Sequence, residues 1–406
     1  MSDRAYVYAY LPDETAPNLV GQVIVLAAGN DGFCRFKYAR EWLDHRRAFP
    51  LDPELLPLEE HEFESQPGWE VFSVLRDAGP DYWGRKLIER RLNRFGLTEL
   101  EFLLAAGDQR VGALAFATGR IPPGAKSPPP AARLKDLMAA AARIERDEPV
   151  APDVLDLLGP GTGTLGGMRP KATVEHEGKL WVAKFPARDD RHAITRWEYA
   201  ALELAARCGL DVPERRLRIV GGQPVLLVAR FDRRLRDGIN ERAHYLSGLT
   251  MLGLHERDYG RGSYAAIAQW LRRYGFAPRE DCRELFRRLA FNVLIGNTDD
   301  HLRNHAVIDF GDGFRLSPVF DIVPSPVTRT QRMQAIGVGT QGRIATFDNA
   351  QSEAGLFGLE KDDAEVEVRR LESTVRRYWK PACEGAGIPK REIEAITPRE
   401  PESSAP

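Results

Sequence analysis

The chain predicts an α+β protein with a strand-rich N-terminal subdomain, a second group of strands near its middle and a mainly α-helical C-terminal half. Three observations carry this. Residues 5–10, 21–27 and 33–38 read as strands of a small sheet. A bulky apolar stretch at 179–185 reads as another strand and follows a glycine-rich run. Beyond it, apolar residues recur at helical spacing. With 406 residues, the chain suits two or three domains or one large two-lobed protein. It can bury a sizeable core without disulfide or metal staples.

In order along the chain, residues 82–94 read as an amphipathic helix and 97–106 as another. Residues 121–130 hold five prolines in ten positions, which favours an extended linker. Residues 131–146 are alanine-rich and helical. Residues 191–208 form a helix with Trp197, Ala201, Leu204 and Cys208 on one face and Glu198 beside it. Residues 263–274, 279–295 and 363–378 read as further helices. In the second of these, Phe286, Leu289 and Val293 share a face, and the helix stops at Gly296. The tail 398–406 has almost no apolar residue and is expected to be disordered.

Composition excludes some roles. The formal net charge of −2 argues against a broad basic face that binds DNA unaided. A local patch, Arg85-Lys86 with Arg90-Arg91, stays open. The four cysteines, Cys34, Cys208, Cys282 and Cys383, lie far apart and show no metal-binding pattern. They read as reduced, mostly buried thiols of a cytoplasmic protein. No run approaches 18 consecutive apolar residues and no signal-peptide core is visible, so no membrane role is expected.

The chemistry concentrates in Gly296-Asn297-Thr298-Asp299-Asp300-His301-Leu302-Arg303-Asn304. An Asp precedes an Asn by five positions. Protein kinases use that spacing in the catalytic loop, where the Asp accepts a hydroxyl proton and the Asn holds a metal bound to ATP. The spacing also arises by chance, and Asp299 would then be an ordinary loop residue. Asp300 is the rival base, and the spacing to Asn304 favours Asp299. Val319-Phe320-Asp321-Ile322 then supplies an isolated acid suited to a second metal ligand. His301 and Arg303 read as structural, with Arg303 bridging acids.

Three further parts stand in the order a phosphoryl-transfer site requires. Gly159-Pro160-Gly161-Thr162-Gly163-Thr164-Leu165-Gly166-Gly167-Met168-Arg169-Pro170-Lys171 lets backbone N–H groups approach phosphate oxygens. It lacks Walker A spacing and reads equally as a flexible interdomain loop. Lys184 sits near the end of its strand, where kinases keep a phosphate-pairing ammonium, or is a solvated strand-edge lysine. Pro224-Val225-Leu226-Leu227-Val228-Ala229-Arg230-Phe231-Asp232-Arg233 is a core strand leaving into a charged loop, as a kinase hinge does. Glu198 is placed to pair with Lys184 and equally reads as a solvated helix glutamate.

In this order the elements resemble the HipA family of bacterial serine/threonine kinases, the toxin halves of toxin–antitoxin pairs. Leu75-Arg76-Asp77-Ala78-Gly79-Pro80-Asp81-Tyr82-Trp83-Gly84-Arg85 is similar to the recurrent motif of the family's N-terminal subdomain. His244-Tyr245-Leu246-Ser247-Gly248-Leu249-Thr250-Met251-Leu252-Gly253 resembles the segment after the hinge, and 296–304 is close to the most diagnostic motif. The resemblance covers nearly the whole chain. It implies a two-lobed, protein-kinase-like fold. It also implies an N-terminal subdomain over 1–120, a linker and helix over 121–150, a nucleotide-binding core over 151–233 and a helical lobe over 234–397.

Carried over by position, the resemblance makes Asp299 the catalytic base and Asn304 and Asp321 the Mg2+ ligands. It makes Lys184 the ATP-phosphate lysine and places Ala229 and Phe231 at the adenine hinge, although relatives often carry Glu where Ala229 stands. Gly166, Gly167, Met168 and Arg169 fall in the phosphate loop. Thr164 matches a residue that is autophosphorylated as a brake, with Thr162 still open as the site. The implied cofactors are ATP and Mg2+. The implied partners are a protein substrate, such as an aminoacyl-tRNA synthetase, and a HipB-like helix-turn-helix antitoxin; whether DNA is bound through it stays open. The competing readings are a small-molecule kinase of the aminoglycoside or choline type and a corepressor without turnover. A metal-dependent hydrolase built on Asp299, Asp300, His301 and His305 explains neither the glycine-rich run nor Lys184.

Overall fold

The computed structural model describes residues 3–27, 32–124, 127–159, 167–258, 260–325 and 332–398. The chain divides into two compact units. The first joins Met1–Asp189, Arg218–His255 and Ala306–Phe314; the second joins Asp190–Leu217, Glu256–His305 and Arg315–Pro406.

The first unit opens with a five-stranded antiparallel sheet. Its strands are β1 (Arg4–Ala9), β2 (Asn18–Ala27), β3 (Phe33–Tyr38), β4 (Glu62–Glu64) and β5 (Leu114–Ala117), in the order β4-β3-β2-β1-β5. Alternation sets which face is buried: in β3, Cys34, Phe36 and Tyr38 point inward while Arg35 and Lys37 point out. Gly21 is required here, because a Cβ would lie 2.3 Å from the Lys37 carbonyl and 2.7 Å from the Phe36 ring.

Four short helices follow the first three strands: α1 (Arg40–Leu43), α2 (Ser73–Asp77), α3 (Tyr82–Leu92) and α4 (Glu99–Ala105). Two of them were legible as 82–94 and 97–106. Thr98 and Glu101 form a reciprocal capping box that starts α4. Asp81 caps α3 by accepting the Gly84 N–H, and Asn93 ends it in the left-handed conformation.

Helices α5 (Leu134–Glu145) and α6 (Pro152–Leu158) pack on a second sheet through Leu134, Leu137, Ala141, Ile144, Leu155 and Leu158. That sheet runs β6 (Lys171–His176), β7 (Lys179–Lys184) and β9 (Gln223–Ala229), all antiparallel. The chain enters it through β8 (Arg215–Val220), the strand in which it passes from the second unit to the first. Val174, Trp181, Ala183, Phe185, Val225 and Leu227 supply its side of the core. Glu177 and Gly178 both take positive φ, the two-residue turn that matches strand twist.

The mostly helical second half also holds strands within 233–309. That stretch contains the hairpin β10 (Arg233–Arg236) and β11 (Ile239–Arg242), closed by Asp237 and Gly238 at positive φ. It also contains β12 (His244–Ser247), which pairs with β13 (Ala306–Asp309), and the one-turn helix α8 (Gly248–Met251). Long-range pairing overrides local propensity here, because β12 and β13 are separated by more than a whole helical hairpin of sequence.

The second unit is helical, apart from the short β14 (Arg315–Leu316). It holds α7 (Ile194–Arg207), α9 (Tyr264–Tyr274), α10 (Pro278–Ile295), α11 (Phe347–Gln351), α12 (Lys361–Gly385) and α13 (Lys390–Ala395). Trp197 of α7 lies 5.7 Å from the Trp379 ring of α12 and donates its indole N–H to Glu392. Trp197, Ala201, Leu204 and Cys208 are all buried, as are Phe286, Leu289 and Val293 of α10. Helix α12 runs well past the expected residue 378 and carries Pro381 inside it.

All four cysteines are free and buried. Burial pushes the Cys34 and Cys282 thiols up to about 11, and those of Cys208 and Cys383 to about 12, so they are poor nucleophiles. Among the described residues no helix is long and apolar enough to cross a membrane.

Candidate active site

The carboxylates and amides of the proposed catalytic loop come together in the second unit. Helix α10 ends because Gly296 adopts φ 72°, ψ 33° and returns its N–H to the Asn292 carbonyl. The Asn297 N–H also bonds to that carbonyl at 3.0 Å, and its side chain donates to Asn292 Oδ1 at 3.2 Å. The loop therefore leaves a buried helix in a fixed direction. A single 3-10 turn, Leu302–Asn304, then folds the chain back so that Asn304 Nδ2 donates to the Asp299 carbonyl at 3.1 Å.

The two adjacent carboxylates have different surroundings. Asp300 is buried and accepts a short hydrogen bond from the Tyr264 hydroxyl, and His305 Nε2 lies 3.1 Å from its other oxygen. Asn292 Nδ2 donates to the same tyrosine oxygen at 3.1 Å. Asp299 keeps an exposed side chain. Loss of water around its carboxyl raises its pKa; His301 opposes that rise and the Asp321 carboxylate adds to it. The Asp321 carboxylate is thus near enough for its charge to be felt at Asp299.

Asp321 sits at φ 58°, a left-handed conformation uncommon for a residue with a Cβ. Its segment is held from both sides. The Val319 N–H bonds to the Asp211 carbonyl at 2.8 Å, the Ser325 N–H to the Gly296 carbonyl at 3.0 Å, and the Thr298 hydroxyl to that of Ser325 at 3.1 Å. Val319, Phe320 and Ile322 are buried, which leaves Asp321 as the polar member of the segment. Arg303 pairs with Glu256.

Asn304 is buried, and its Oδ1 accepts no hydrogen bond among the described residues. A buried amide oxygen without a donor is costly unless something else fills it. A hard divalent cation is such a filler, and Asn304 with Asp321 is an oxygen donor pair suited to Mg2+. Among the described residues no three or more His, Cys, Asp and Glu side chains are grouped to hold a metal. The hydrolase reading would need Asp300 and His305 free for a metal, whereas His305 Nε2 lies against the Asp300 carboxylate.

The first unit holds the other expected residues. Lys184 ends β7 and is buried, which removes the alternative of a solvated strand-edge lysine. Its cross-strand partner in β6 is Lys171. Ala229 ends β9 opposite Trp181, and Phe231 follows, both half-buried. The two residues after Ala229 and Phe231 are more constrained than they are. Arg230 pairs with Asp232 through both carboxylate oxygens at 3.0 and 2.7 Å and reaches the Gln109 and Arg110 carbonyls at 2.8 Å. Burial opposes ionisation of Asp232, but Arg230 and Arg233 outweigh it and hold the carboxyl far below its ordinary range.

Gly167 has φ 105°, Met168 is exposed and Arg169 half-buried. Gly166, Thr162 and Thr164 lie outside the described residues. Glu198 is buried on α7, not solvated. Spacing did not single out Tyr264, Asn292, Lys171 or Asp81 for a role. The last two stood within quoted motifs, while Tyr264 carries no local signal.

The family models of the HipA N-terminal domain and the HipA-like C-terminal domain match residues 18–117 and 163–379. The chain is 26% identical over 401 residues to a putative kinase, Y4mE, of Sinorhizobium fredii, covering 89% of this chain and 91% of that one. It is 25% identical over 316 residues to the serine/threonine-protein kinase toxin HipA of Shewanella oneidensis, covering 70% of this chain and 69% of the toxin. Among solved structures, the complex of HipA, HipB and operator DNA from Shewanella oneidensis MR-1 contains a chain of like fold. The TM-score is 0.67 at 18% identity, over 98% of this chain and 92% of that one. The fold is thus α+β and two-lobed, of the protein-kinase-like HipA type. Both family domains match in sequence order and the second alone spans more than half of the sequence, so the chain belongs to the HipA family.

Proposed function

We propose that this chain transfers the γ-phosphoryl group of ATP to a serine or threonine hydroxyl of a protein, and acts as the toxin of a toxin–antitoxin pair. One observation carries the proposal: Asp300 is turned inward and hydrogen-bonded, whereas its neighbour Asp299 stays exposed and has its backbone carbonyl held by Asn304, whose Oδ1 accepts no hydrogen bond among the described residues. Those are the roles a phosphoryl-transfer loop has to divide.

In this reading Asp299 aligns the attacking hydroxyl and takes its proton, and its raised pKa strengthens it as a base. Asn304 fixes the Asp299 backbone through Nδ2 and presents Oδ1 to Mg2+, with Asp321 as the second protein ligand. Held by Asn304 and Asp321, Mg2+ would supply positive charge against the phosphates of ATP. Lys184 pairs with phosphate oxygens, the backbone from Gly166 to Arg169 orients them, and Ala229 and Phe231 offer main-chain groups to adenine. Most of the rate enhancement comes from positioning and electrostatics.

The N-terminal domain match over 18–117 favours a protein kinase of the HipA type over a small-molecule kinase. The relative solved with HipB and operator DNA supports a helix-turn-helix antitoxin as partner, and through it DNA. The substrate class proposed is a translation protein such as an aminoacyl-tRNA synthetase, with autophosphorylation of Thr164 as a brake. The test is transfer of label from γ-labelled ATP by purified protein, followed by phosphoproteomics after expression. Label on cellular serine or threonine that is lost with Asp299→Asn supports the reading. Label on aminoglycoside or choline, or no ATP turnover at all, refutes it.

A further inference from the structure

Within the motif Pro80-Asp81-Tyr82-Trp83-Gly84-Arg85, the side chains of Asp81 and Trp83 both reach Lys171. Asp81 uses both carboxylate oxygens. Oδ1 accepts the Gly84 N–H at 2.9 Å and so starts α3, while Oδ2 lies 2.5 Å from Lys171 Nζ. Trp83 donates its indole N–H to the Lys171 carbonyl at 3.0 Å. The Lys171 ammonium also donates to the Gly167 carbonyl at 3.1 Å. Lys171 is 1% exposed and Trp83 2%, so water does not compete for these bonds.

Two consequences follow from the geometry. Lys171 stands at the end of the glycine-rich run, where a lysine would be read as a phosphate ligand. Its ammonium is instead committed to Asp81 and to the backbone of the run itself. Lys171 is also the direct cross-strand partner of Lys184, and side chains so paired share one face about 5 Å apart. Two buried ammonium groups in that relation repel, and the Asp81 carboxylate offsets the charge of one of them.

We propose that Asp81 and Lys171 form a positioning pair, locked by Trp83, that sets the backbone at Gly167 and thereby the affinity for the triphosphate. This rests on the nucleotide-binding reading given above. Neither residue is catalytic; both act through the main chain of the phosphate loop.

The test uses the full chain, with Asp81→Asn, Lys171→Met and the double variant. The double variant removes both charges, so it leaves no unpaired buried ion and folds even where a single one fails. Hydrogen exchange of the amides from 167 to 171 is measured without nucleotide. Affinity is measured for ATP with Mg2+ and for adenosine. The expected result is about tenfold faster exchange and about tenfold weaker ATP binding in the double variant, the scale of one lost buried hydrogen-bonding group. Adenosine affinity should stay within about twofold, since the adenine-binding backbone is untouched. Wild-type exchange and ATP affinity in the folded double variant would overturn the proposal. So would equal losses for ATP and adenosine, which indicate a general defect of the unit. A wild-type protein that does not bind ATP overturns the kinase reading instead, and the exchange arm still decides the anchor.

Discussion

Asp299 and Asp300 are neighbours in sequence, and their replacement should have opposite effects. Asp300→Ala removes the acceptor for the Tyr264 hydroxyl and the partner of His305, all three residues being at most 2% exposed. Each buried group left without a partner costs about 1–3 kcal/mol, so the loss is about 2–6 kcal/mol. Removing the buried carboxylate also removes its own desolvation cost, which moves the figure toward the lower end. In a folding unit of this size class a loss of about 1 kcal/mol lowers the midpoint by about 2–4 °C, so Asp300→Ala should melt roughly 5–15 °C early. Asp299→Asn keeps the shape, the backbone carbonyl that Asn304 holds and the exposed setting. Its midpoint at pH 7 should not fall, because an amide carries no charge to desolvate. Its phosphoryl transfer should drop by about 10²–10⁴. Calorimetry and a labelled-ATP assay on both variants decide the matter. If Asp300→Ala melts with the wild type, the buried network has been misread. If Asp300→Asn abolishes turnover while Asp299→Asn retains it, the base assignment is reversed.

Asp321→Ala should weaken binding of Mg·ATP more than binding of ATP without metal, and Asn304→Ala should do so to a smaller degree; equal losses in both titrations would contradict a ligand role. Lys184→Ala should lower ATP affinity and transfer together, and unchanged affinity would remove the lysine from the phosphate site. Burial raises the Asp52 carboxyl to about 6 despite hydrogen bonds from the Glu54 and Leu55 N–H groups. Because the folded pKa lies above the unfolded one, stability falls as pH rises from about 4 to 6. Asp52→Asn should therefore be more stable than wild type at pH 7 by about 2–3 kcal/mol, with the gain vanishing below pH 4; denaturant midpoints at both pH values check it. Protein made in a host should carry phosphate on Thr164, and the Asp299→Asn form should not. Peptide mass spectrometry reads this: phosphate on Thr162 alone moves the site, and phosphate on Thr164 in the Asp299→Asn protein means another kinase placed it.

The elements legible in the sequence are those whose signal is local. β1 and β3, α3, α4, α5, β7, α7, α9 and α10 were found within a few residues because caps, alternation or helical periodicity announce them. The hairpin of β10 and β11 carried an Asp237-Gly238 turn, a strong local cue, yet the charged residues on both sides lack the apolar alternation that marks a strand. The side chains of Arg233 and Glu241 are nonetheless shielded from water, held in ion pairs with Asp232 and Arg234. Polar residues made safe to bury by specific partners are invisible to a reading that equates burial with hydrophobicity. The pairing of β12 with β13 had no cue at all, since each strand has only four residues and the partner comes from beyond α10.

The candidate site divides along the same line. The spacing of Asp299 and Asn304 is itself geometry: one tight turn brings the amide back to the Asp299 carbonyl, so a motif search finds both at once. The contacts that hold Asp300 and Lys171 come from far away in the sequence. Tyr264 is 36 residues from Asp300, and Asp81 is 90 from Lys171. Spacing to Asn304 favours Asp299 over Asp300, but it says nothing of what surrounds either carboxylate. What favours Asp299 in the proposal is the difference in what each carboxylate touches. A base must keep an oxygen free for an incoming hydroxyl. Asp300 has none to offer while Tyr264 and His305 hold it, whereas Asp299 spends only its backbone on the loop.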